Sequence, residues 1–351
     1  MELNILKIFG LSAFSFFVGV LITPILTHYL YKYKAWKKTG NVKALSGEEA
    51  VVTNSLSSRT PGVKTPYMGG ILIWATTLFI TLLFFVLYKI APSTGTEKLN
   101  FLSRSQTWLP LFALVSASVI GLVDDILKVG GKGKYIGGGL PLKKRVLLVA
   151  LIGLIGGWWF YSKLDVSSVL IPFVGTLEIG WLLVPFFIIV MLATFSGGVI
   201  DGLDGLSGGI FASIFAAYGG ISFLQNQVDL AAFCGVVSGS ILAFLWFNIP
   251  PARFYMGETG TLGLTCALTV VAFLTNSVLV LPIIALPLVL ASGSDIIQIF
   301  SKKYFGRKVF LAAPIHHHFE AKGWPSNKVT MRFWVIGIVF AIIGMVIVLI
   351  G

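Results

Sequence analysis

Long apolar segments recur along the whole chain of 351 residues, and they constrain its fold more than any other feature. A helix that crosses a bilayer needs about 20 mostly apolar residues. Segments of this kind lie at ten places: 8–30, 68–89, 108–123, 146–162, 181–199, 206–224, 230–247, 261–277, 279–301 and 330–350. We therefore expect an all-α integral membrane protein with about ten transmembrane helices, built as a single polytopic domain over residues 1–351.

The composition excludes two broad classes of protein. Hydrophobic residues make up 56% of the chain and charged residues 11%, so neither a water-soluble enzyme nor a disordered chain fits. Segment 164–180 is apolar but is broken by Pro172 and two glycines, which predicts a short external loop or hairpin. Cys234 and Cys266 both lie in apolar runs, so we expect packed thiols and not a disulfide or a metal site.

The basic residues indicate how the chain is oriented. Lysine and arginine total 26 against 14 acids, a net charge of +12. Of those basic residues, 21 lie in the loops that follow odd-numbered spans, and 5 lie on the other side. Because cytoplasmic loops are enriched in Lys and Arg, we expect these loops in the cytoplasm and both termini outside. The positive charge is then a sign of membrane topology, and no nucleic-acid partner is expected.

Acidic residues cluster in three of the predicted cytoplasmic loops. The loops read GLVDDILK at 121–128, GGVIDGLDGLSGG at 197–209 and NIPPARFYMGETGTLG at 248–263. Carboxylates crowded at a membrane boundary repel each other unless a cation holds them, and Mg²⁺ takes one or two carboxylates together with phosphate oxygens. Each cluster alone also fits solvated acids or turn and N-cap chemistry. All three on one face predict a shared cation and phosphate site.

Three further features are candidates for substrate binding. His316, His317 and His318 are consecutive, so their spacing disfavours zinc, but they can hydrogen-bond a sugar, base or phosphate; the alternative is an exposed polar loop. Tyr255 offers a face for a nucleobase or is an interfacial aromatic. Lys128 can hold phosphate or simply reflect the topology.

These motifs, in this order, resemble a known family. The stretches are TPYMGG at 65–70, GLVDDILK at 121–128, IDGLDGL at 200–206, FLWFN at 244–248, FYMGETGTL at 254–262 and APIHHHFEAKGWP at 313–325. Together they resemble the polyprenyl-phosphate sugar-1-phosphate transferases. The triple histidine followed by Phe-Glu resembles the phospho-N-acetylmuramoyl-pentapeptide transferase branch.

The resemblance implies an activity, a cofactor and a location. Such enzymes move phospho-MurNAc-pentapeptide from UDP-MurNAc-pentapeptide to undecaprenyl phosphate, giving lipid I and UMP in peptidoglycan biosynthesis. They need Mg²⁺ and act at the inner face of the bacterial cytoplasmic (inner) membrane, so the active site is expected on the cytoplasmic face of the lipid bilayer. A homodimer is also suggested by the resemblance alone.

The resemblance also assigns roles to residues. Asp124 and Asp125 match the paired catalytic aspartates, with Asp124 as the base or nucleophile, and Asp201 matches a further catalytic acid. Glu258, assisted by Asp201, would hold Mg²⁺, and Lys128 would bind substrate phosphate. The other matching positions are expected to bind substrate: Lys64, Gly202, Leu203, Asp204, Asn248, Tyr255, Gln298, His316, His317 and His318.

The chain departs from the family pattern at three positions. Glu258 stands where the family usually has Asp, and Gly198 stands where it has Asn. The usual basic pair before TPYMGG is reduced to Lys64. Three alternatives remain: a sister transferase that uses UDP-GlcNAc or a related donor, a non-catalytic scaffold, and a secondary transporter. A transporter usually has its relay acids near the midplane, where only Asp295 is predicted.

Overall fold

The protein is a bundle of long helices, and the computed structural model describes residues 2–36, 64–131 and 138–351. The longer helices are α1 (Glu2–Lys32), α2 (Ile71–Ile90), α4 (Trp108–Gly130), α5 (Leu142–Lys163), α6 (Leu183–Ser196), α7 (Leu206–Leu224), α8 (Val228–Asn248), α9 (Glu258–Leu274), α11 (Leu286–Phe305) and α13 (Ser326–Ile350). The short helices are α3 (Thr94–Leu99), α10 (Leu281–Ile284) and α12 (Ile315–Ala321).

Eight helical segments in the described part of the chain are long and apolar enough to cross a membrane. They are α1, α2, α4, α5, α7, α8, α13 and the segment Gly180–Ile200, in which short 3-10 turns flank α6. At a rise of about 1.5 Å per residue, 20 helical residues span the hydrocarbon core. The prediction of an all-helical, multi-span membrane protein is therefore confirmed.

Two predicted spans take a different form. The eighth corresponds to α9, an apolar helix of 17 residues. The ninth, expected over 279–301, is divided at Ala285 into α10 and α11. Pro282 and Pro287 lie in the first turns of these two helices, and a proline lacks the N–H that a continuous helix needs there. Proline at both starts explains why one apolar segment forms two helices.

A β-hairpin lies between α5 and α6. Strand β1 (Ser168–Ile171) pairs antiparallel with β2 (Gly175–Glu178), which confirms the hairpin reading of segment 164–180. At its turn, the Phe173 N–H donates to the Gly351 carbonyl at 3.1 Å. The hairpin therefore contacts the end of the chain.

Both chain ends lie at the same end of the bundle. Near the N-terminus, Lys7 Nζ lies 2.7 Å from Asp229 Oδ1 at the start of α8. Near the C-terminus, Gly351 contacts the hairpin. The opposite end carries the segments 64–70, 138–141, 201–205, 249–257 and 306–325. Those are the segments that hold the acidic motifs and the histidines.

Helix α9 lies at the centre of the bundle and packs closely against α4. Every residue from Thr259 to Phe273 is buried. A Cβ placed on Gly121 of α4 would lie 2.2 Å from the Glu258 carbonyl oxygen, and one on Gly263 would lie 2.0 Å from Ser118 Oγ. These glycines let the two backbones approach closely. The paired aspartates of α4 are thereby brought to the first turn of α9.

Candidate active site

Asp125 joins α4 to the start of α9. Its Oδ1 accepts the Glu258 N–H at 3.2 Å, and its Oδ2 accepts the Thr259 N–H at 3.0 Å. Both N–H groups belong to the first turn of a helix, where backbone donors lack intrahelical partners and the helix dipole favours negative charge. The Asp125 carboxylate is therefore fixed in place by backbone groups.

Asp124, the residue before Asp125, is also fully buried, and its side chain contacts the segment before α5. Its Oδ1 accepts the Leu140 N–H at 2.6 Å, and its Oδ2 lies 2.8 Å from Lys128 Nζ. The approach depends on Gly139, which has φ +84°, and whose Cβ, if present, would lie 2.6 Å from Asp124 Oδ1. One carboxylate oxygen thus has a backbone donor, and the other has the ammonium group of Lys128 as its neighbour.

Glu258 binds two cations through one carboxylate oxygen. Lys128 Nζ donates to Glu258 Oε1 at 3.1 Å, and Arg145 Nη1 donates to the same atom at 2.6 Å. Lys128 therefore bridges Glu258 and Asp124. Sequence reasoning counted Arg145 only as a topology charge, because Arg145 lies 113 residues from Glu258 and adjoins two other basic residues, Lys143 and Lys144.

Asp201 reaches the same cluster from the loop before α7. Its Oδ1 accepts from Ser207 Oγ at 2.7 Å, and its Oδ2 accepts the Gly257 N–H at 3.0 Å. Gly257 has φ +71°, and a Cβ there would lie 2.4 Å from Asp125 Oδ2. Gly257 thus adjoins both carboxylates. Burial raises the pKa of Asp201 to about 6, because a desolvated carboxylate favours its neutral form.

The cluster has more negative than positive charge. Asp124, Asp125, Asp201 and Glu258 meet Lys128 and Arg145, an excess of two carboxylates when all are ionised. Among the described residues, no group of three or more His, Cys, Asp or Glu side chains is placed to hold a metal ion by itself. Mg²⁺ usually keeps only one or two protein carboxylates and takes its other oxygens from water and phosphate. Hard oxygen donors with surplus negative charge therefore fit Mg²⁺ carried by a phosphate substrate.

Asn248 connects two of the loops at this end. Its Oδ1 accepts the Gly205 N–H at 3.0 Å, and its Nδ2 donates to the Phe254 carbonyl at 2.8 Å. Asp204 makes a parallel connection, since its Oδ2 accepts the Ala252 N–H at 3.0 Å, and burial raises its pKa. The loop 201–205, which also carries the exposed Gly202 and half-buried Leu203, is thus held against the loop 249–257.

Two of the three consecutive histidines lie beside that loop. A Cβ on Gly202 would lie 2.3 Å from His316 Nε2 and 2.9 Å from His317 Nε2. His316 is fully buried, and burial lowers its pKa well below the usual value, so the ring is neutral at physiological pH. His317 Nδ1 lies 2.8 Å from Glu320 Oε2, which leaves Nε2 directed to the loop.

The side chains of His318 and Gln298 contact backbone groups of the segment between α11 and α12. His318 Nδ1 accepts the Leu311 N–H at 3.1 Å. Gln298 Oε1 accepts the N–H groups of Val309 and Phe310 at 3.0 Å each, and its Nε2 donates to the Phe310 carbonyl at 3.0 Å. Both side chains therefore shape the loop between α11 and α12.

Tyr255 lies in a short pairing between the segments 64–70 and 249–257. Its N–H donates to the Pro66 carbonyl at 2.8 Å, and its carbonyl accepts the Gly69 N–H at 2.8 Å. The Tyr255 ring packs edge-on against Tyr67 at 5.5 Å. Burial raises the pKa of Tyr67 to about 12; sequence reasoning did not single out this residue. Lys64 is exposed, with its Nζ 5.8 Å from the Trp36 ring.

Comparisons with known proteins agree with this arrangement. The family model described as glycosyl transferase family 4 matches residues 107–276, which include the four carboxylates of the cluster and Asp204. A phospho-N-acetylmuramoyl-pentapeptide-transferase of Pelagibacter ubique is 32% identical over 96% of this chain and 91% of its own length. Relatives of the same name from Levilactobacillus brevis and Geobacillus thermodenitrificans are 37% and 33% identical, over 81% and 95% of this chain and 84% and 95% of their own lengths.

The histidine segment lies beyond the matched model, but the alignments with the relatives from Pelagibacter and Geobacillus extend over nearly the whole chain. The sequence identity is above 30% over most of the chain, including both the carboxylate cluster and the membrane-spanning helices. The chain belongs to the phospho-N-acetylmuramoyl-pentapeptide-transferase family.

Proposed function

We propose that the protein transfers phospho-MurNAc-pentapeptide from UDP-MurNAc-pentapeptide to undecaprenyl phosphate, giving lipid I and UMP. One observation carries the proposal: four carboxylates and two cations meet at one end of a membrane-spanning bundle, in a chain whose relatives bear this activity in their names. A site at the edge of the bundle suits a reaction between a water-soluble nucleotide and a membrane lipid.

The reaction joins two phosphates. An oxygen of the lipid phosphate attacks the phosphorus that bears the sugar, a new P–O bond forms, and the bond from that phosphorus to the UMP oxygen breaks. Both substrates are anions, so charge neutralisation is the main requirement. Lys128 and Arg145 are the cations placed to meet this charge, since both already bind a carboxylate oxygen at hydrogen-bond distance.

Asp124 is the residue proposed to act on the reacting atoms. Its Oδ2 adjoins only the ammonium of Lys128 among the described side chains, whereas both oxygens of Asp125 have backbone donors. Two routes use this oxygen. It accepts a proton from the lipid phosphate before direct attack, or it attacks the phosphorus first, expels UMP and forms an acyl phosphate, from which the lipid phosphate then displaces the Asp124 carboxylate. Asp125 orients the first turn of α9 in either route.

Asp201 and Glu258 are the proposed holders of Mg²⁺. When bound, the cation would neutralise charge on the UDP diphosphate. Among the described residues, Lys128 and Arg145 both donate to Glu258 Oε1, and the second carboxylate oxygen is the one proposed to bind the cation. A Glu258→Gln variant is expected to need at least tenfold more Mg²⁺ for half-maximal rate. An unchanged Mg²⁺ requirement would assign the cation to another acid.

The nucleotide is proposed to lie over the loop 201–205. Gly202, Leu203 and Asp204 would line the uridine pocket, with Tyr255 supplying an aromatic face and His316 and His317 supplying polar ring nitrogens. Asn248, Gln298 and His318 are proposed to act by positioning the neighbouring loops, because their polar groups are engaged with backbone atoms. Lys64 is proposed to meet substrate phosphate from the rim.

The location follows from charge. The 21 basic residues after odd-numbered spans favour a cytoplasmic position for the site end, with both termini outside, in a bacterial inner membrane. Both native cysteines are buried, so single cysteines can be introduced at Lys308 and at Val174 as reporters. An impermeant maleimide should label only the Val174→Cys protein in spheroplasts. The homodimer and the single domain stay predictions.

One assay tests the activity against its competitors. The purified full-length protein is given UDP-MurNAc-pentapeptide or UDP-GlcNAc, with undecaprenyl phosphate and Mg²⁺, and UMP release is measured. UMP release from the pentapeptide donor that requires both lipid and Mg²⁺ supports the proposal. UMP release from UDP-GlcNAc but not from the pentapeptide donor would indicate the sister transferase. No UMP release from either donor would reject a transferase activity of this kind.

A further inference from the structure

A groove separate from the carboxylate cluster lies between the end of α1 and the segment after α8. Its volume is about 410 Å³. One wall is a single face of α1, formed by Pro24, His28 and Lys32, which recur at the four-residue spacing of helix neighbours. The other wall is Phe247 with Arg253. The volume is within the range of small-molecule pockets.

The two walls are fixed to each other by a hydrogen bond from a side chain to the backbone. The Tyr31 hydroxyl donates to the Arg253 carbonyl at 3.0 Å, and the Arg253 N–H donates to the Phe247 carbonyl at 2.9 Å. The Arg253 guanidinium lies 5.6 Å from the centroid of the Phe247 ring. The groove is thus a formed feature whose cationic side chain already rests against one wall.

The charge in this groove has one sign. Lys32 and Arg253 are exposed cations, and His28 adds a ring nitrogen that can donate a hydrogen bond. Within the described ranges, neither Lys32 nor Arg253 is paired with a carboxylate, and no acidic side chain lines the groove. Phosphate is the anion that such a set of convergent donors suits.

The position of the groove indicates that its ligand also has an apolar part. Pro24 and Thr23 lie within α1, which is a membrane-spanning candidate, and Lys32 is its last residue. The groove therefore runs from apolar helix surface to a basic rim at the bundle end that carries the candidate active site. A ligand with an apolar tail and an anionic head matches both parts, as basic pockets between transmembrane helices do for anionic lipids.

We propose that this groove binds an anionic phospholipid, with the headgroup phosphate between Lys32 and Arg253 and an acyl chain along Pro24 and Phe247. The polyprenyl acceptor is a poorer match. Its phosphate must reach Asp124 and Lys128, and no lining residue takes part in an ion pair of that cluster. The site would tie the enzyme to the anionic lipids of its membrane independently of turnover.

Native mass spectrometry of the detergent-purified, full-length protein tests this inference without any need for catalysis. Phosphatidylglycerol is titrated against the protein, with zwitterionic phosphatidylcholine as the comparison lipid. The Lys32→Gln/Arg253→Gln variant should lose phosphatidylglycerol affinity by about 30-fold, because each basic residue contributes a factor of about five. Phosphatidylcholine binding should not change. The hydrogen bond from the Tyr31 hydroxyl to the Arg253 carbonyl does not involve either altered side chain, so it remains in this variant.

The Arg307→Gln/Lys308→Gln variant is the matched control, since it removes two exposed cations from another loop at the same end and should bind phosphatidylglycerol normally. Lys32→Gln alone, with an expected loss of about fivefold, provides the measurement if the double variant is recovered poorly. Equal phosphatidylglycerol affinity in the groove and control variants would overturn the proposal. So would selective loss of undecaprenyl phosphate, which would assign the groove to the acceptor.

Discussion

Arg145 Nη1 and Glu258 Oε1 lie 2.6 Å apart, and this contact joins the start of α5 to the start of α9. Lys128 contacts the same oxygen from α4. Three helices therefore converge on one carboxylate atom at the bundle end that holds the candidate active site. Glutamate has one methylene more than aspartate, and the longer side chain extends the reach of its carboxylate.

Arg145→Ala should lower both stability and turnover. Among the described residues, the change leaves Lys128 as the cationic partner of Glu258, and removing one member of a largely buried pair costs about 1–3 kcal/mol after allowance for partial exposure. Thermal unfolding and initial rates measure the two effects. Arg145→Lys keeps the charge and should recover part of the rate. A normal rate in Arg145→Ala would remove Arg145 from the site.

Asp124→Asn should abolish transfer while the protein still inserts into the membrane and binds the UDP-linked donor. The amide oxygen can still accept the Leu140 N–H, but the amide group cannot accept a proton or attack phosphorus. We expect a rate at least about 10³-fold lower, the size of effect typical of a lost catalytic group. Asp229→Asn, at the opposite end beside Lys7, is the control and should transfer normally.

Gly202→Ala should weaken donor binding. The added methyl group would lie 2.3 Å from His316 Nε2 and 2.9 Å from His317 Nε2, so the loop or the rings must move. We expect KM for the donor to rise about tenfold, equal to roughly 1.4 kcal/mol. Gly293→Ala, where a Cβ meets no atom within 4 Å, should have an unchanged KM. Equal KM values in both variants would place the donor elsewhere.

Acidification should reduce turnover with a midpoint near pH 6. Burial raises the pKa of Asp201 to about 6 from its ordinary 3.8, so this carboxylate gains a proton in a range where an ordinary, solvated Asp stays ionised. If Asp201 holds Mg²⁺, cation and proton compete, and higher Mg²⁺ should shift the midpoint to lower pH. A midpoint insensitive to Mg²⁺ would contradict the metal role.

The same shift has a consequence for stability. The folded state holds this proton more tightly than the unfolded chain does, so the contribution of Asp201 to folding becomes less favourable as pH rises from about 4 to about 6. Thermal unfolding of wild type and Asp201→Asn across this interval measures the difference. The gap between the two proteins should change with pH inside the interval and be constant above it.

The helical class and the acidic loops could be predicted because their signals are local. Apolar length alone marks a span, and Asp124, Asp125 and Asp201 stand out as acids in apolar surroundings. The break at Ala285 was not predicted, although Pro282 and Pro287 mark it, because an apolar run masks a backbone interruption. The Arg145 contact was also missed, since only the packing of α4, α5 and α9 brings it to Glu258.

The hydrogen bonds that polar side chains make to backbone groups were also not predicted from the sequence. The resemblance predicts that Asn248 and Gln298 bind substrate, and this stays a prediction; the structure adds that each amide contacts backbone groups of a loop. A sequence motif reports that a side chain is required at a site. It carries no information on whether that side chain meets the ligand or holds the segment that does.

The shared end of the two termini has a practical meaning for work on this enzyme. Lys7 and Gly351 are anchored at the hairpin end, a full bundle length from the carboxylate cluster. An affinity tag, fluorophore or surface tether attached at either terminus leaves the entrance for nucleotide and lipid unobstructed. Immobilised protein should therefore present its reactive face to the solution in a uniform direction.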